Sequence, residues 1–177
     1  MLSEQLKLNI EAFITANYEE IQEEYLHIPA DSLEEFSDLS EQHSFKRLFC
    51  NATVKLSLND MIGELDESFS EMLLRKINEK GMKDAECYKK ALVDRKLFSK
   101  IRNDKHYRPS KETAVAFAIA LELPLEETKE LLLKAGFALS HSSKFDIIIE
   151  YFITSNNYNI LEINEALYEF DQKLLGY

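Results

Sequence analysis

Apolar residues recur along the chain in steps of three and four, and most of these runs open on a polar capping residue. Leu2, Leu6, Ile10, Phe13, Ile14, Ile21 and Leu26 form the first run, which predicts an amphipathic helix over residues 1–28. Its other face is acidic, with Glu19, Glu20, Glu23 and Glu24 close together. The apolar stripe has two readings: a core-facing surface with a solvated back, or a dimerisation or partner surface that includes Tyr18 and Tyr25. Pro29 ends the helix, and Ser32 with Glu35 is a capping box opening a short helix to Leu39. From Phe45 to Met61 the pattern changes. Phe45, Leu48 and Phe49 fit a helical turn, whereas Val54, Leu56 and Leu58 alternate with Thr53, Lys55, Ser57 and Asn59, a strand signal. A lone strand has no partner within the chain, so this stretch is extended linker or pairs across a dimer. Apolar content falls at GELDE, residues 63–67, which marks a boundary between an acidic, mainly helical region (1–66) and a module (67–177).

The module is a series of short helices. Ser68 and Glu71 form a capping box, Met72, Leu73 and Ile77 follow at helical spacing, and Gly81 provides the stop. A second helix runs from about Lys83 to Leu92. Asp94 then caps a third, in which Leu97, Phe98 and Ile101 share one face and Arg95, Lys96, Ser99, Lys100 and Arg102 the other. After the loop NDKHYRP, Ser110 caps a fourth helix, AVAFAIALEL. Pro124 opens a fifth, LEETKELLLKA, which Gly136 ends. Ser143 and Asn159 cap two more, FDIIIEYFI and LEINEALYEF, which predict padding of the five-helix core. With four Gly and three Pro in 177 residues, the expected class is all-α.

Charge singles out one stretch. Residues 68–111 carry 13 Lys/Arg against 6 Asp/Glu, whereas the counts are 4 against 15 before it and 4 against 11 after it. An acidic chain that gathers its cations into one segment has a natural anionic partner, and a phosphate backbone is the commonest. Two cysteines, Cys50 and Cys87, fit a reducing compartment, and the polar, acidic start of the chain lacks a signal-peptide pattern, so a cytoplasmic protein is expected. No segment is apolar and long enough to span a membrane.

Helices in this order, with the third carrying the cations, resemble the λ-repressor-like (Cro/C1-type, Xre) helix-turn-helix domain. The resemblance covers about residues 69–133 and is anchored by Arg108-Pro109-Ser110 and by ALELPLEET, residues 120–128. It implies a bacterial transcription regulator that binds double-stranded DNA as a homodimer, with the helix at 94–103 in the major groove. Arg95, Lys96, Ser99 and Lys100 would then face base edges, Lys105, Tyr107 and Arg108 in the loop would hold phosphates, and Arg102 would be a further DNA-binding residue of the same helix. The chain departs from the family at three positions. Tyr88 stands where a small residue is usual, Leu92 where the tight turn usually has Gly, and Asp84 where an amide often meets the DNA backbone. A longer stretch, about residues 69–176, resembles a bacterial C-terminal helical module sometimes attached to macro-type ADP-ribose-binding domains, which implies an adaptor.

Nothing in the sequence signals catalysis. His27, His43, His106 and His141 lack metal-ligand spacing, and no phosphate-binding glycine loop or nucleophile elbow occurs, so no metal, cofactor or enzymatic activity is expected. Two functions remain: a DNA-binding regulator, or a non-enzymatic interaction module whose basic face docks on an acidic protein.

Overall fold

The structure, a computed structural model, describes residues 2–18 and 66–176. The short helix expected at 32–39, the strand signal at 53–59 and the acidic run from Glu19 to Glu24 lie outside the described residues. Among those described are eight α-helices and no strand: α1 (Glu4–Asn17), α2 (Phe69–Glu79), α3 (Asp84–Lys90), α4 (Arg95–Asn103), α5 (Lys111–Ala120), α6 (Leu125–Lys134), α7 (Lys144–Thr154) and α8 (Ile160–Glu169).

Side-chain caps set where the helices start. Ser68, Asp94, Ser110, Ser143 and Asn159 each accept a backbone N–H from the first turn of the helix they precede. At Ser68 the box is reciprocal, because the Glu71 carboxylate accepts from the Ser68 N–H at 2.9 Å. The helix ends share one device. Just past α2, α3, α5, α6, α7 and α8 a residue turns left-handed, and the following N–H closes back on the last turn. Gly81 and Gly136 adopt that conformation freely. Leu92, Glu122, Asn156 and Asp171 do so with a Cβ, at φ between 50° and 55°. In the left-handed region an L-residue loses roughly 1–2 kcal/mol, so the turn between α3 and α4 is held by its surroundings rather than by Leu92 itself.

Helix α5 is the hub. Every residue from Thr113 to Ala120 is buried, and α3, α6 and α8 all pack on it. A helix that is apolar all round belongs in the interior, and its alanines let neighbours approach closely. Helix α2 packs on α4 and α6, and α7 on α6 and α8. Ile147, Ile148 and Ile149 are all fully buried, as the consecutive isoleucines of α7 imply.

Helix α1 packs on α7, in the same compact unit as residues 67–176. Ile10 is fully buried, Leu2, Leu6 and Ile14 pack against the core, and Phe13 meets Tyr151 edge-on at 5.3 Å between ring centroids. The described part of the apolar stripe therefore faces this chain's own core. The helix also ends earlier than the run to residue 28 suggests, since Tyr18 is already extended. Asn17 caps a terminal carbonyl, its Nδ2 donating to Phe13 O at 2.8 Å. The glutamates that follow in sequence would oppose the negative end of a longer helix dipole.

Candidate nucleic-acid interface

Two hydrophobic contacts fix the rotation of α4. Phe98 is buried between Tyr88 of α3 and Phe117 of α5, at centroid separations of 5.6 and 5.9 Å, and Ile101 is fully buried. Leu97 is half-buried. With these three turned inward, a 3.6-residue period leaves Arg95, Lys96, Ser99, Lys100 and Arg102 outward, and all five are exposed. Tyr88, the large residue where a small one was expected, is half-buried and fits by lying against the Phe98 ring. Together Asp84, Ala85, Tyr88, Arg95, Ser99 and Arg102 line a shallow groove between α3 and α4.

The loop after α4 is tied down at both ends. Ser70 of α2 donates its hydroxyl to Asp104 O at 3.1 Å, and the Asp104 carboxylate accepts from His106 N at 2.9 Å. Tyr107 packs against the core and Pro109 is buried, which leaves Lys105 and Arg108 exposed on either side of Tyr107.

Electrostatics divides the eight residues into three groups. Arg95, Lys96, Lys100 and Arg108 pair with no acid among the described residues. Arg102 is ion-paired to Asp84, and Lys105 to Glu71 at 2.8 Å. Ser99 accepts a bond from Asn103 at 3.3 Å, and Tyr107 is held by packing. Away from this face Arg75 is neutralised by Glu67 and Glu79, Lys76 by Glu79 and Glu127, Lys90 by Glu122, and Lys111 by Asp146, whereas exposed Lys83 and Lys89 pair with no acid among the described residues.

Glu71 was legible in the sequence as half of a capping box, but its second role was not. The Lys105 ammonium, then the Ser68 amide and hydroxyl, hold its carboxyl down to about 2. Because the folded value is depressed, this contribution is complete above the ordinary value of 4.5 and fades as pH falls towards about 2. Lys105→Ala should raise the Glu71 titration midpoint, which carboxyl-detected NMR would follow. An unchanged midpoint would mean that Lys105 does not hold this acid. Residues 71 and 105 lie far apart in sequence, so no local pattern signals the pair. Asp84 stood out in the sequence as a carboxylate where an amide often meets the DNA backbone, and the structure adds that it neutralises Arg102.

Cys87 is buried on the inner face of α3, and loss of solvent pushes its thiol up to about 12, so it behaves as a small hydrophobe. Among the described residues no cluster of His, Cys, Asp or Glu could hold a metal ion, and no helix is long and apolar enough to cross a membrane. Compared with protein-family models, with curated proteins and with solved structures, the chain matches none.

Proposed function

We propose that this protein is a DNA-binding regulator of the λ-repressor-like (Xre) helix-turn-helix type, which sets α4 in the major groove of duplex DNA. One observation carries the reading. Arg95, Lys96, Lys100 and Arg108, four cations without a described acid, share the outward face of α4 and the loop after it, while Arg75 and Lys76 of α2 and Lys111 of α5 are ion-paired. Arg95, Lys96, Ser99 and Lys100 project from the first turn and a half of α4, the part that would enter the groove. Arg or Lys there suits guanine O6 and N7, and Arg108 and Lys105 suit flanking phosphates. A homodimer on two symmetric half-sites belongs to the same proposal.

The test compares the wild-type chain with the double variant Arg95→Ala/Lys100→Ala on a panel of duplexes. Both residues are exposed, so the fold should survive while affinity falls about 10- to 100-fold, with relaxed sequence preference. Equal affinities would remove α4 as the reader.

Asp84 supports a second reading, in which the same face docks on another protein, whose surface can carry charges of both signs and leave this carboxylate unopposed. Its carboxylate stands at the groove and already occupies Arg102, so it would repel a phosphate backbone. The Asp84→Asn variant separates the two. An exposed pair is worth only ~0–1 kcal/mol, so freeing Arg102 leaves the fold intact. On DNA it should raise affinity about threefold and steepen the salt dependence by about one. Unchanged DNA affinity would favour the protein-docking reading.

A further inference from the structure

Residues 171–176 return from the end of α8 to the turn between α3 and α4, and three contacts fix their path. Asn164, buried on α8, donates its Nδ2 to Leu175 O at 3.2 Å and accepts from Leu175 N at 2.8 Å. Leu175 is fully buried in the core. Gly176, at φ +82°, lies so close to the turn that an added Cβ would meet Ala91 O and Leu92 Cβ at 2.6 Å each. Only glycine allows backbone to approach backbone in this way. The contact falls on the one residue of that turn, Leu92, that is held left-handed with a side chain, and two residues before Asp94, the N-cap of α4. Leu92, Val93, Asp94 and Leu97 line a cleft with Thr113 and Gly176, so the segment borders both α4 and α5.

We infer that residues 171–176 form a clamp that holds the α3–α4 turn in its strained conformation and so fixes how α4 is presented. The device is anchored in α8 through Asn164, which makes α8 a positioning element for the cationic face rather than padding alone. The turn has its own hydrogen bonds, Leu92 N to Lys89 O at 3.1 Å and Val93 N to Tyr88 O at 2.8 Å. These two amides report on its opening.

Hydrogen exchange on the full chain tests the clamp, with the variants Gly176→Val and Asn164→Leu. The first blocks the close approach, and the second keeps a side chain of similar size but removes both bonds to Leu175. In each, the Leu92 and Val93 amides should exchange roughly tenfold faster, while amides in α2 and α7 keep their wild-type rates. Wild-type rates at Leu92 and Val93 in either folded variant would overturn the proposal. So would equal acceleration through every helix, since residues 171–176 would then be a general core element. The readout contains no nucleic acid, so it stands or falls separately from the DNA reading.

Discussion

Replacing Phe98 by alanine should destabilise the protein by about 3–5 kcal/mol, a large share of an ordinary domain's stability of roughly 5–15 kcal/mol. Phe98 is only 4% exposed and is the one side chain of α4 in ring contact with both α3 and α5. Its loss removes apolar burial and leaves a cavity that Tyr88 and Phe117 cannot both collapse into, because each is anchored on its own helix. Urea or thermal unfolding of the full chain would measure this directly. A midpoint unchanged by the substitution would mean that α4 is rotated relative to its neighbours. Arg95, Lys96 and Lys100 would then not share the outward face on which the proposed function depends.

Lys111→Met should be almost as costly, about 3 kcal/mol, for an electrostatic reason. Asp146, on the first turn of α7, is 1% exposed, and its Oδ2 accepts from Lys111 Nζ at 2.7 Å and from Ser140 N at 2.9 Å. Its Oδ1 has no hydrogen-bond partner among the described residues. Methionine preserves the length of the lysine stem but leaves the carboxylate buried without its counter-charge. The double variant Lys111→Met/Asp146→Leu should regain most of the loss, because no buried charge is then left without a partner and the N–H of exposed Ser140 can turn to water. If the single variant unfolds at the wild-type denaturant concentration, the pair does not couple α5 to α7. If the double variant is no more stable than the single one, the cost comes from packing instead.

Local physics made much of the module legible in the sequence. Caps at Ser68, Asp94, Ser110, Ser143 and Asn159 and stops at Gly81 and Gly136 depend on residues within one turn of the helix end, so a linear reading can find them. The inward placement of Leu97, Phe98 and Ile101 follows from periodicity alone. Less was legible where a non-glycine residue turns left-handed. Leu92, Glu122, Asn156 and Asp171 carry no glycine signal, and the surrounding fold imposes their conformation. Contacts distant in sequence were not legible at all. The packing of α1 on α7, the return of residues 171–176 to Ala91 and Leu92, and the neutralisation of Arg102 by Asp84 and of Lys105 by Glu71 all join segments that no periodicity relates. For the candidate site this changes the count of available charges. The sequence offers a basic helix and loop, whereas the structure separates four unpaired cations from two that are already occupied.

That distinction gives the salt dependence of duplex binding its expected value. Each cation that displaces a condensed counterion contributes about −0.9 to the slope of log affinity against log salt concentration. Arg95, Lys96, Lys100 and Arg108 give about −4 per bound chain if each offsets one phosphate charge, including those whose head groups reach base edges in the groove. A slope nearer −5 would follow only if phosphates also displace Glu71 and Asp84 from Lys105 and Arg102. The most direct measurement is therefore the affinity of the full chain for duplex DNA between ~50 and ~200 mM salt. A slope of about −4 to −5 per chain is expected, and a slope near zero, or no binding at ~50 mM, would contradict the assignment of α4 to DNA.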